Sequence, residues 1–172
     1  GLAVASPVLL PVIAAVYLQD RHSPFYVAPR VGRGNGTFRM VKLRSMIVNA
    51  DKSGVDSTGA NDRRITRLGH FIRRYKLDEL TQLWNVLLGD MSLVGPRPEQ
   101  ICLAVGYEPW QWERWSVPQG ITGLWQIRGR SLRPLYLHTS DDIEYIRNYS
   151  LWSDIKILLK TVLPVATGRG AF

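Results

Sequence analysis

The sequence predicts a mostly helical α/β protein: an apolar N-terminal helix, a short β-hairpin and a compact helical domain with amphipathic helices suited to an interface. Three observations predict it. Residues 1–18 carry one clearly polar side chain, Ser6. Residues 23–44 hold two β-like runs around the turn Gly32-Arg33-Gly34-Asn35-Gly36. From residue 63 onward, apolar positions recur at helical spacing. The expected division is a membrane helix over 1–20, truncated at its N-terminus, and one domain over 21–172.

The apolar segment is long enough for a bilayer core at about 1.5 Å per helical residue. Pro7 and Pro11 interrupt it, and each removes a backbone hydrogen bond and favours a bend. Ser6 can satisfy a carbonyl that Pro7 frees. A re-entrant helix, bent at Ser6-Pro7, is favoured. A straight span and a buried core helix are the alternatives. Gln19-Asp20-Arg21-His22 offers no cleavage site, which disfavours a signal peptide.

Residues 25–27 and 37–41 form the expected hairpin. A short helix is expected over 46–51, and a Ser/Gly/Asp-rich loop over 52–61. Residues 63–75 read as an amphipathic helix, with Ile65, Leu68 and Ile72 as its stripe and arginines around it. The next helix starts near Leu77 or Asp78. Leu80, Leu83, Trp84 and Leu87 follow the i, i+3, i+4, i+7 pattern, and Gly89 stops it. One or two short aromatic-rich helices are expected over 99–115, and a structured loop over 118–130. Residues 141–149 and 151–165 complete the helices. The last carries Trp152, Ile155, Leu158, Leu159 and Val162 on one face.

Across 172 residues, 22 basic and 14 acidic side chains give a net charge of +8. That balance suits a polyanion: nucleic acid, an anionic membrane surface or a phosphorylated substrate. The single cysteine, Cys102, excludes an internal disulfide and reads as a small buried hydrophobe. His22, His70 and His138 lack zinc-ligand spacing. No Walker or dinucleotide glycine motif opens a helix.

The chemistry concentrates around Asp78 and Glu79. Adjacent helical residues point about 100° apart, so the pair suits two roles rather than one shared proton. One carboxylate can attack while the other holds a metal. Acids in a first helical turn are ordinarily capping residues. Their surroundings raise the chemical reading. Lys42 and Arg44 end the hairpin, Arg73 and Arg74 precede the acids, and Arg97 is fixed between Pro96 and Pro98. Arg128 and Arg130 flank Gly129. Together these cations look like a diphosphate cradle.

The chain resembles the bacterial sugar transferases, the monotopic phosphoglycosyl transferases. The resemblance runs nearly end to end. It includes Ser6-Pro7, Lys42-Leu43-Arg44-Ser45-Met46, Leu77-Asp78-Glu79-Leu80, Gly89-Asp90-Met91-Ser92-Leu93-Val94-Gly95-Pro96-Arg97-Pro98 and Gly120-Ile121-Thr122-Gly123-Leu124-Trp125-Gln126. Thr81 and Gln119 stand where the family usually has proline.

The resemblance implies transfer of a sugar 1-phosphate from a UDP-sugar to undecaprenyl (polyprenyl) phosphate. UMP leaves, and a covalent aspartyl-phosphosugar lies between the two half-reactions. It implies Asp78 as nucleophile, Glu79 as Mg²⁺ ligand, and Lys42, Arg73, Arg97, Arg130 and Asp142 as substrate-binding residues. It also implies a lipid bilayer partner, the cytoplasmic face of the bacterial inner membrane, and service in exopolysaccharide or lipopolysaccharide synthesis. A homo-oligomer is compatible with it.

Two other classes stand beside this reading. A basic nucleic-acid-binding module fits residues 63–76 but not the apolar N-terminus. A non-catalytic membrane scaffold fits the helices but leaves Asp78, Glu79 and Arg97 unexplained.

Overall fold

The computed structural model describes residues 1–53, 62–128 and 135–167. The N-terminal helix α1 spans Leu2–Asp20 and continues through Ser6 and Pro7, the position expected to bend it, and through Pro11. Pro7 has no N–H for the Ala3 carbonyl, and the Ser6 hydroxyl donates to that oxygen at 2.8 Å. The helix is long and apolar enough to cross a membrane, and only 11% of its best window is buried. Leu9 and Val16 are its buried side chains. Its C-terminal end is tied down: Arg44 donates to both Asp20 carboxylate oxygens at 2.6 Å and to the Ser23 carbonyl at 2.8 Å.

The hairpin forms as expected, with longer strands. β1 (Phe25–Val31) pairs antiparallel with β2 (Thr37–Leu43), setting Tyr26 opposite Lys42. Residues 46–51 are not the expected helix. Met46 makes an isolated bridge with Ile65, and a 3₁₀ turn covers Ala50–Ser53. Most of the expected 52–61 loop lies outside the described residues. Because Ile65 is held in that bridge, α2 begins only at Arg67 and runs to Arg74. Thr66 caps it by accepting from the Gly69 N–H at 2.9 Å.

The acid-bearing segment is a 3₁₀ turn, Leu77–Gln82, followed by α3, Leu83–Leu88. Gly89 ends α3 at φ 85°, the left-handed conformation that suits glycine. The segment is turned inside out relative to a soluble core helix. Its polar residues Asp78, Thr81, Gln82 and Asn85 are buried, while Trp84 is 50% exposed and Leu87 67%.

Asn85 explains the inversion. Its amide accepts from the Val41 N–H at 3.0 Å and donates to the Arg39 carbonyl at 2.8 Å. It thus serves as a substitute strand along the open edge of β2. Thr81 adds a hydroxyl bond to the Val41 carbonyl at 3.1 Å.

A second sheet went unforeseen. β3 (Met91–Val94) pairs in parallel with β4 (Gln119–Thr122), inside the region expected as loop. Between them lie α4 (Ile101–Ala104) and the 3₁₀ segment Pro109–Trp115, the two short helices expected there. Cys102 is exposed rather than buried. After β4 come α5 (Leu124–Arg128), α6 (Thr139–Arg147) and α7 (Leu151–Thr167). Among the described side chains of α7, Ile157 alone enters the core, beside Val94 and Tyr145, and the stripe read from sequence faces outward.

Candidate active site

A cleft of about 420 Å³ opens between the end of the hairpin, α2 and the Leu77–Gln82 turn. Lys42, Arg73, Asp78, Glu79 and Arg97, five of the residues singled out in sequence, all line it. Four elements position them, with Asp78 and Glu79 together on the Leu77–Gln82 turn. Lys42 comes from the end of β2 farthest from the hairpin turn, Arg73 from the end of α2, and Arg97 from the Gly95–Pro98 turn after β3.

Glu79 is the electrostatic hub. One oxygen, Oε1, accepts from Lys42 Nζ at 3.2 Å and from Arg97 Nη2 at 2.9 Å. Burial works against its charge, but Arg97, then Lys42 and Lys76, outweigh burial and hold the carboxyl well below the usual range. Glu79 in turn raises Arg97 above its ordinary value.

Asp78 has the opposite environment. It is 8% exposed, and its buried Oδ1 has no hydrogen-bond partner among the described residues. Burial pushes its pKa up, with Lys42 opposing and Glu79 reinforcing the shift. The two neighbouring carboxylates thus differ in environment: Glu79 is held as an anion, and Asp78 is the stronger base once ionised. Burial works against the ionised form that Asp78 needs to attack.

The backbone that presents the pair is strained. Lys76, immediately before Leu77-Asp78, sits at φ 56°, ψ 25°. This left-handed conformation costs a non-glycine residue roughly 1–2 kcal/mol. Lys76 also lines the cleft, so the same residue turns the chain and delivers a cation. On the far wall, Arg73 Nε donates to Ser45 Oγ at 2.8 Å, which fixes the guanidinium beside the hairpin exit.

Asp142 stands elsewhere. It lies on α6, 1% exposed, and does not line the cleft. Its Oδ2 accepts from Arg114 Nε at 3.1 Å and pairs with Nη2 at 2.9 Å. Burial pushes Asp142 up to about 6 despite Arg114. Fully buried Arg114 also donates to the Tyr107 hydroxyl at 3.1 Å and to the Arg97 carbonyl at 2.8 Å. The Tyr107 hydroxyl donates to Glu99 at 2.7 Å. Asp142 therefore stands behind Arg97, two contacts from the cleft.

Arg128 is also spoken for, by Asp141 at 2.8 Å and Glu144 at 2.6 Å on α6. Arg130 lies outside the described residues.

Sequence reading missed Lys76, Arg114 and Asn85. A lone arginine in the aromatic run Trp110-Gln111-Trp112-Glu113-Arg114-Trp115 was the available signal for the second. Lys76 and Asn85 carry no pattern of their own. Arg30, Arg64 and Gln100 also reach the cleft wall.

The donor set fits Mg²⁺. Asp78 Oδ1 is an unpartnered hard oxygen beside the Glu79 carboxylate, and magnesium prefers one or two carboxylates plus phosphate oxygens. Among the described residues there is no cluster of three or more metal-binding side chains, so the remaining ligands would be phosphate or water.

The family model described as Bacterial sugar transferase matches residues 1–168. The chain is 37% identical, over 99% of its length, to a UDP-N-acetylgalactosamine-undecaprenyl-phosphate N-acetylgalactosaminephosphotransferase from Aeromonas hydrophila, and covers 42% of that protein. It is 37% identical, over all of its length, to a UDP-galactose-lipid carrier transferase from Erwinia amylovora, covering 40%. With a UDP-glucose:undecaprenyl-phosphate glucose-1-phosphate transferase from Caulobacter vibrioides it shares 36% identity over 99% of its length, covering 67%. The chain spans about two fifths of the length of the first two relatives.

Proposed function

The chain belongs to the bacterial sugar transferase family, and from that premise we propose that it moves a sugar 1-phosphate from a UDP-sugar to undecaprenyl phosphate. The observation that carries the proposal is Asp78 Oδ1: a buried carboxylate oxygen without a hydrogen-bond partner among the described residues, in a cleft whose walls carry Lys42, Arg73, Lys76 and Arg97.

In the proposed reaction an Asp78 oxygen attacks the sugar-bearing phosphorus of the UDP-sugar. A P–O bond forms to Asp78, and the bond to UMP breaks with its electron pair leaving on UMP. An oxygen of the lipid phosphate then attacks the same phosphorus and releases the Asp78 carboxylate. Lys42 and Arg97 spread the developing phosphate charge, and the Gly95–Pro98 turn keeps Arg97 in place. Glu79, with Asp78 beside it, would hold Mg²⁺, which when bound neutralises diphosphate charge. Under this reading α1 lies in the bilayer as a re-entrant helix on the cytoplasmic side, and nucleic acid is not a partner. The product is the lipid-linked sugar that begins a surface polysaccharide.

The test is transfer of radiolabelled sugar phosphate from a panel of UDP-sugars to undecaprenyl phosphate in detergent, with UMP release as readout. Asp78→Asn is expected to abolish both. Full transfer by that variant would sink the mechanism.

A further inference from the structure

A second cavity, about 290 Å³, lies on the other side of the same charged group. The two cavities share three lining residues, Lys76, Glu79 and Arg97. Their remaining walls differ in kind. The larger is lined by arginines and small polar side chains, including Arg30, Arg64, Ser45 and Asn49. The smaller is walled mainly by Leu77, Leu80, Ile121, Trp125 and Val165, with Thr122, Gln126 and Thr161 between them.

We propose that the smaller cavity is the acceptor subsite, taking the head-proximal isoprenoid of a polyprenyl phosphate with its phosphate at Lys76 and Arg97, while the nucleotide sugar occupies the larger cleft. The inference rests on the transfer reaction proposed above and divides its two substrates between the two sides of Glu79.

Charge and polarity select the occupant. An isoprenoid phosphate has a dianionic head on an apolar chain, and this cavity has two cations at one end and aliphatic and indole walls beyond. A sugar or uridine would set many of its hydroxyls and amides against Leu80, Ile121, Trp125 and Val165, with Thr122, Gln126 and Thr161 as the few polar groups of that wall.

The cavity is also at the small end for a ligand site, so it takes only the first part of a long chain. The remainder has a continuous path. Thr161 and Val165 line the cavity from α7. One turn away on the same helix, Leu158 and Val162 are 39% and 63% exposed. The apolar lining thus runs out onto an apolar outer face.

The arrangement accounts for two features left over by the donor reaction. Arg97 reaches Glu79 with one guanidinium nitrogen, and its position between the cavities lets the same cation serve the departing and arriving phosphates. The outward stripe of α7 becomes the track along which the acceptor's chain lies.

The experiment separates the half-reactions in the full chain. Ile121→Trp fills the cavity, and Val165→Glu places an anion in it from the half-buried side of α7. For both variants the KM for undecaprenyl phosphate is expected to rise at least tenfold. The single-turnover burst of UMP from UDP-sugar without acceptor is expected to stay within twofold of wild type. An acceptor KM within twofold of wild type in folded variants overturns the subsite. So does a burst that falls in step with transfer, since the cavity would then serve the donor.

Should a variant not fold, the wild-type protein is photolabelled with a diazirine-bearing farnesyl phosphate. Label in residues 119–128 or 161–167 is expected, and label confined to the wall around Tyr26, Arg30 and Asn49 overturns the proposal. Absence of any UMP burst from wild type would instead defeat the transfer reaction itself.

Discussion

Replacing Arg114 by methionine tests the buried ion cluster behind the active-site turn. The native guanidinium has no exposure and touches Asp142 at 2.9 Å, Glu99 at 3.8 Å, the Tyr107 hydroxyl and the Arg97 carbonyl. Removing it strands buried carboxylates. Breaking one buried ion pair costs about 3–5 kcal/mol, a large part of a total stability of about 5–15 kcal/mol.

The penalty should depend on pH, and the sign follows from Asp142. Its folded pKa of about 6 lies above the ordinary 3.8. The neutral form is thus favoured in the fold, worth about 3 kcal/mol. That contribution is complete below 3.8 and is lost as pH rises through 6. Without Arg114 the folded pKa rises further, so on acidification the variant already gains stability from protonation above pH 6, where wild type has not begun to.

Between pH 8 and 5.5 the destabilisation should therefore shrink by about 2 kcal/mol. Urea denaturation in detergent, followed by tryptophan emission, reads it directly, since Trp115 stacks on Tyr107 at 5.5 Å between centroids. A loss under about 1 kcal/mol, or a loss equal at both pH values, would refute the reasoning. Arg114→Met combined with Asp142→Leu should recover much of the stability while transfer stays low, because the bond to the Arg97 carbonyl is still missing.

Other outcomes follow from single features. Gly69→Ala would bring a methyl within 1.8 Å of the Ser45 carbonyl oxygen. It should cost at least about 1–3 kcal/mol in a thermal or urea melt, and a neutral result would mean α2 does not pack backbone to backbone there. Lys76→Gly should leave stability equal or improved by up to about 1 kcal/mol while cutting transfer tenfold or more. A fall in melting temperature would count against strain at that position. The UMP burst should increase with pH across an acid limb whose midpoint lies above 3.8, because Asp78 must ionise to attack and burial raises its pKa. A burst independent of pH from 4.5 to 8 would contradict that assignment.

The parts of this fold legible in sequence are those set by local chemistry. Glycines mark the hairpin turn and the end of α3, and the acid pair is visible because cations crowd the neighbouring segments. What stayed hidden depends on long-range pairing. β3 and β4 meet across more than twenty residues, and Gln119-Gly120-Ile121-Thr122 has no β-rich run to announce it. Residues 46–51 look helical in isolation, but Met46 is claimed by Ile65 and the start of α2 moves with it. Asp142 was found by motif alone, and the motif could not say that it is buried against Arg114, which in turn donates to the Arg97 carbonyl.

The helical periodicity located faces correctly but said nothing about which face turns inward. In water an apolar stripe turns to the core. Here the stripes on α3 and α7 turn out, with Leu87 and Leu159 both 67% exposed; the buried side of the acid-bearing segment and α3 is polar, while α7 buries Ile157. This inversion has a structural reason independent of any bilayer. The polar side of the acid-bearing segment is needed to close the edge of β2 through Thr81 and Asn85, and that closure sets Glu79 against Lys42. A helix cannot satisfy the sheet edge and bury its leucines on the same side. Exposing them in water is unfavourable by about 25 cal/mol per Å², a cost that an apolar phase against this face would relieve. The site and the outward stripes are therefore two sides of one element: the pattern that makes α3 a poor core helix is the one that holds the carboxylates in register with their cations.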